Sequence, residues 1–254
     1  MAVRVRIVGV GMGPHQVTPE AADALRAADY AIAADKGPDD GLLAVRREIA
    51  AAHDLPVVAV PDPKRDRQPE GDGAYVGAVA HWHAARVAAY EAVLAERGGT
   101  AAFLVWGDPA FYDSTIRIVE SIAARGVVEV EYDVLPGISA LQLLAARSRI
   151  VLHDVGQPLH VTTGRLLAAA VAGGQTNIAV LLNRSVELDG LEDWTIWWGA
   201  NLGAAGERLV SGRVGDVAEA VVAARDAAKA EAGWVMDLFL LRAPAPGQDD
   251  DGAA

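Results

Sequence analysis

Apolar and polar residues alternate from Val3 to Ile7 in VRVRIV, residues 3 to 8, the period-two pattern of a β-strand. The period then lengthens. PEAADALRAA, residues 19 to 28, places Ala22 and Leu25 on one helical face, with Pro19 at the first turn and Thr18 in position to cap it. The same exchange recurs along the first half of the chain. DYAIAA is a short apolar strand, LLAVRREIAAA an amphipathic helix, and LPVVAVP a third strand. After a polar segment, PDPKRDRQPEGDG at residues 61 to 73, comes a long helical stretch, AYVGAVAHWHAARVAAYEAVLAERGG, that stops at paired glycines. TAAFLVW, the helix through RIVESIAARG, the strand VEVEYDVLPG and the helix ISALQLLAARS complete this half. Strands alternating with helices predict a mainly parallel α/β sheet.

The second half changes character. LHVTT, NIAVLL, TIWWGA, ERLVSGRV and WVMDLFLLR read as strands, with helices at GRLLAAAVAGG and VGDVAEAVVAARDAAKAEA. The alternation in the last strand suits a partly antiparallel sheet with one covered face. The expected architecture is therefore two α/β domains, residues 1–148 with a mainly parallel sheet and residues 149–243 with a mixed one. Residues 244–254, ending in a triple Asp, have no apolar periodicity and read as a disordered acidic tail.

Composition narrows the function classes. At 254 residues and 52% hydrophobic, the chain has enough apolar surface for substantial cores. Its formal charge of -12 argues against a nucleic-acid partner, which needs a basic face. A local basic cluster can still act on an acidic metabolite, because charges beyond a Debye length of about 10 Å are screened. No apolar run approaches the roughly 18 residues of a spanning helix, so no membrane partner is expected. With no export signal at the start, the cytoplasm is the expected compartment. The absence of cysteine rules out disulfides and thiol catalysis. Neither H-E-x-x-H nor another ligand spacing points to a metal.

Three loops carry the candidate chemistry. The first strand ends in GVGMGP, residues 9 to 14. Its glycines at 9, 11 and 13 make G-x-G-x-G, and Pro14 stands where a dinucleotide fingerprint has its third glycine. Asp29 and Asp35 lie near the distance of about 20 residues at which that fingerprint contacts ribose. An NAD(P)-dependent oxidoreductase therefore stays open as the alternative. WGDPAFYDS, residues 106 to 114, and LPGISAL, residues 135 to 141, end two further strands in the same glycine-and-proline manner. Loops after parallel strands meet at one sheet edge, where open α/β sheets bind ligands.

GVGMGPHQVTPEA, GDPAFY, PGISA and ERLVSGRV, in that order, resemble the landmarks of the tetrapyrrole methylases over about residues 3 to 242. These two-domain enzymes use S-adenosylmethionine in corrin and siroheme synthesis, with the cofactor in a cleft between the domains. PDPKRDR, HWHAARVAAYEAVL and VWGDPAFYDST resemble a deacetylating branch that methylates C-1 of precorrin-5, a corrin precursor, and releases acetate; another corrin intermediate is the alternative substrate. The resemblance implies a homodimer and a cofactor site built from Gly11, Met12, Trp106, Gly107, Asp108, Phe111, Ser139, Ala140, Leu182, Leu202 and Gly203. Met12 and Pro14 depart from the family turn G-x-G-P-G-D, Trp106 replaces a small residue, and Asp113 replaces a glycine.

Methyl transfer from a sulfonium is a direct displacement, which asks the protein for alignment and exclusion of water. Acetate release also requires an added water and a moved proton. His15, Tyr112 and Asp113, on loops expected at the site, are the candidate acid or base groups. A tetrapyrrole carries many carboxylates, and Lys64, Arg65 and Arg67 on the polar segment, with His83 and Arg86 on the following helix, are candidate donors to them.

Overall fold

A computed structural model describes residues 2–37, 41–63 and 74–244, and the side chains of 74–76, 78 and 79 are outside that description. Lys64, Arg65, Arg67 and the acidic tail beyond Pro244 also lie outside the described residues. The chain divides into two compact units, Met1–Ser139 and Ala140–Ala254.

The first unit is built on five strands: β1 (Val3–Gly9), β2 (Tyr30–Asp35), β3 (Val57–Pro61), β4 (Thr100–Val105) and β5 (Val130–Leu135). They form one sheet in the order β3-β2-β4-β1-β5, and every pairing is parallel. Alternation along β1 and β4 sends side chains to two separate cores. Val5, Ile7, Ala101 and Phe103 pack with Val87, Tyr90 and Leu94 of α3 (Ala74–Arg97) and with Ile118 and Ile122 of α4 (Thr115–Arg125). Val8, Ala102 and Leu104 pack instead with Ala21 and Leu25 of α1 (Pro19–Arg26) and with Ile49 of α2 (Gly41–Ala51). Helices thus cover both faces, as a parallel sheet requires. The Thr18 hydroxyl caps α1 by accepting from the Ala21 N–H at 3.1 Å, the role its place before Pro19 predicts.

The second unit starts with α5 (Ala140–Ser148), followed by β6 (His160–Thr163), α6 (Leu167–Ala172), β7 (Asn177–Leu181), β8 (Thr195–Ala200), β9 (Arg208–Arg213), α7 (Val214–Ala232) and β10 (Asp237–Arg242). Its sheet runs β6-β7-β10-β8-β9. β6 and β7 are parallel, while β10 is antiparallel to both its neighbours. The mixed sheet agrees with the sequence pattern, but the single covered face does not. β10 is the central strand, and Asp237 to Leu241 are all buried. Phe239 and Leu241 enter a core with α6 and α7, and α5 packs on β8 and β10. Four buried residues of α5, Leu141, Leu143, Leu144 and Ala145, make it part of this unit. The division therefore falls before α5, whereas the sequence pattern placed the boundary at its end.

Candidate active site

β1 lies between β4 and β5 in the sheet, so the loops leaving these three strands emerge side by side. Glycine sets how closely they approach. Gly11 and Gly107 form an isolated antiparallel bridge, the Gly11 N–H donating to the Gly107 carbonyl at 3.2 Å and the Gly107 N–H to the Gly11 carbonyl at 2.8 Å. Both have left-handed backbones, with φ of 68° and 73°, a conformation that favours glycine. A Cβ on Gly137 would stand 2.2 Å from the Gly107 carbonyl oxygen, and one on Gly9 would stand 2.5 Å from the Gly137 nitrogen. The three glycine-bearing loops are packed backbone to backbone.

Asp108 locks this arrangement. Its Oδ2 accepts from the Gly137 N–H at 2.9 Å and its Oδ1 from the Ala110 N–H at 2.8 Å. The loop then turns outward. Phe111 and Tyr112 are exposed, and Tyr112 has a left-handed φ of 52°, which costs a bulky residue about 1–2 kcal/mol. Asp113 accepts the Thr115 N–H at 2.6 Å at the start of α4. His15 is exposed on a short 3-10 turn, Pro14–Gln16, whereas Met12 and Ser139 are buried.

The turn geometry bears on the dinucleotide alternative. The 3-10 turn separates the glycines from α1, so no α-helix N-terminus opens at them. The Gly11 N–H is already used by Gly107, and Asp29 and Asp35 accept the N–H groups of Thr100 and Gly37. A pyrophosphate cradle needs those backbone donors and that helix end.

On α3, the Arg86 guanidinium meets Asp62 at 2.6 Å, with both side chains largely buried, and lies 4.4 Å over the Trp82 ring. The Trp82 indole donates to the Pro63 carbonyl at 3.0 Å and packs edge to face with His83. The carboxylate that Arg86 grips is thus the chain's own, and together with Trp82 it holds the end of β3. Among the described residues, no three His, Cys, Asp or Glu gather as a metal site.

In the second unit, the ends of β6, β7 and β8 lie at one edge of the sheet, together with the start of β10. Leu182 follows β7 with a left-handed φ of 56° and is 62% exposed. Leu202 follows β8 but is buried, its side chain turned back to Gly199. The Gly203 N–H donates to Glu207 at 2.6 Å. Asn201 makes this turn possible: its amide accepts from the Met236 N–H and donates to the Trp234 carbonyl.

The family model for tetrapyrrole (corrin/porphyrin) methylases matches residues 4–218. The chain belongs to the tetrapyrrole methylases. A precorrin-6A synthase (deacetylating) from Sinorhizobium sp is 43% identical over 250 residues, covering 94% of this chain and 95% of that protein. The crystal structure of CobF, a cobalamin synthesis related protein from Corynebacterium diphtheriae, superposes with a TM-score of 0.81 at 34% identity, over 95% of this chain and 99% of that one. Uroporphyrin-III C-methyltransferase from Thermus thermophilus, solved with S-adenosyl homocysteine, shares the fold with a TM-score of 0.58 at 20% identity, over 94% and 92% of the two chains. The protein is a methyltransferase, and the oxidoreductase alternative falls with this assignment.

Sequence reasoning missed several residues that shape the methylase's loops. Gln16 lies under the glycine turn, its Cβ 2.5 Å from where a Gly11 Cβ would stand. Asn183 donates to the Asp237 carbonyl at 3.2 Å behind Leu182. Asn201 has a left-handed backbone with φ 49°. Asparagine adopts this conformation more readily than most residues, so a lone Asn after a buried strand was the available signal.

Proposed function

We propose that this methylase is a deacetylating precorrin-6A synthase, which transfers a methyl group from S-adenosylmethionine to C-1 of precorrin-5 and releases acetate. The observation that carries the reading is 43% identity sustained over nearly the whole length of both chains. The first-unit loops fit the cofactor because their glycines leave no room for side chains where the backbones converge. Gly11, Met12, Trp106, Gly107, Asp108, Phe111, Ser139 and Ala140 are proposed to hold it, with backbone at Leu182, Leu202 and Gly203. When bound, the cofactor supplies an activated methyl on a sulfonium.

The chain's own residues then orient, exclude water and move a proton. Asp108 acts by fixing the loops, since both its oxygens accept backbone N–H groups. His15, Tyr112 and Asp113 are proposed to position the water that acetate release consumes. Lys64, Arg65, Arg67, His83 and Arg86 are proposed to receive substrate carboxylates, Arg86 while also paired with Asp62. We further propose a cytoplasmic homodimer, which light scattering of the purified protein would test.

Calorimetric titration with S-adenosylhomocysteine, run beside NAD and NADPH, tests the cofactor. Stoichiometric binding of the homocysteine compound alone is the expected result. Binding of a dinucleotide instead would refute the cofactor reading.

A further inference from the structure

Two polar atoms beside the Gly11–Gly107 bridge are buried without a hydrogen-bond partner: the Trp106 indole Nε1 and the Gln16 amide Oε1. Trp106 immediately precedes Gly107, and Gln16 packs against Gly11, so both flank the point where the loops meet. The bridge satisfies its own N–H and carbonyl groups, which leaves these two side-chain atoms as a donor and an acceptor. Buried polar groups are rarely left unpaired, and an indole N–H can only donate. Other side chains carry the neighbouring structural roles: Thr18 caps α1 and Asp108 ties the loops.

We propose that Trp106 and Gln16 bind the amino-acid end of the cofactor, the indole N–H donating to its carboxylate and the Gln16 amide oxygen accepting from its ammonium. This rests on the cofactor reading above and extends it to one end of the molecule and to a residue not otherwise placed in the site. An α-amino acid carries an acceptor and a donor on one carbon, the chemical complement of one indole N–H and one amide oxygen. The adenosine end also presents donors and acceptors, so the test separates the two ends.

Binding of S-adenosylhomocysteine and of 5′-methylthioadenosine, which keeps the adenosine and lacks the amino acid, would be measured calorimetrically for the wild type, Trp106→Phe and Gln16→Leu. Each substitution is expected to weaken S-adenosylhomocysteine about tenfold and to leave methylthioadenosine unchanged. An equal loss for both ligands would overturn the inference in favour of packing or adenosine contact, and no loss for either would overturn it outright. If Trp106→Phe melts early, Gln16→Leu decides the matter. A wild type that binds methylthioadenosine but gains nothing from the amino acid would overturn the inference while sparing the cofactor reading. Failure to bind S-adenosylhomocysteine at all would remove both.

Discussion

Gly137 is where the convergence of the three loops is least tolerant of change. Gly137→Ala would drive a methyl group against the Gly107 carbonyl and the Gly9 backbone. We expect a loss of about 1–3 kcal/mol, the usual cost of overpacking, together with loss of S-adenosylhomocysteine affinity. Thermal melting and calorimetry check the two effects, and an unchanged melt would contradict the close approach. Tyr112 gives the opposite case. Glycine relieves its left-handed backbone, so Tyr112→Gly is expected to leave stability unchanged or raise it by up to about 1 kcal/mol while turnover falls. Full turnover would exclude Tyr112 from the chemistry. The glycines were legible in sequence because strand and turn punctuation mark them. The unpaired Trp106 and Gln16 atoms were not, since burial of a polar atom is a tertiary property.

At the scale of elements, hydrogen bonds and ion pairs hold the loops that carry the candidate chemistry. Asp113 takes the Thr115 N–H at the start of α4, so Asp113→Ala conflates a lost hydrogen bond, worth about 0.5–1.5 kcal/mol, with a lost carboxylate. Asp113→Asn retains the accepting oxygen. We expect it to melt like the wild type but to release acetate more slowly, about 100-fold if Asp113 is the base; unchanged acetate release would pass that role to His15 or Tyr112. In the second unit, Asp237 accepts from the Trp198 indole at 3.1 Å and from Arg225 at 3.0 Å. Arg225 also donates to the Arg184 carbonyl at 3.0 Å, just past Leu182. Removing one member strands a buried charge, so Asp237→Ala is expected to cost about 3–5 kcal/mol by denaturant unfolding. Sequence periodicity located β10 but read it as half-covered, because its alternation suited an antiparallel strand with one covered face. The Asp237 carboxylate is in fact buried against Trp198 and Arg225.

The whole molecule is two α/β units whose element order was visible in the exchange of period-two and helical patterns. The domain limit was harder to see. α5 follows the parallel half without a break in composition, yet its buried leucines belong to the second core. Global stability also carries a pH signature. Burial pushes the Tyr90 phenol above its ordinary value of about 10, partly offset by Arg86. Above that ordinary value the unfolded chain loses the proton first, so stability is full below pH 10 and declines as pH rises toward the folded-state value. Tyr90→Phe is expected to flatten that alkaline decline; an identical decline in the variant would assign it elsewhere.

The central claim is tested most directly by incubating the purified protein with precorrin-5 and S-adenosylmethionine carrying a labelled methyl group, then weighing the product and assaying acetate. The account predicts one labelled methyl gained and one acetate released per tetrapyrrole. A methylated product formed without acetate would contradict the assignment to precorrin-6A synthesis while leaving the methylase intact, and no labelled product would contradict the account itself.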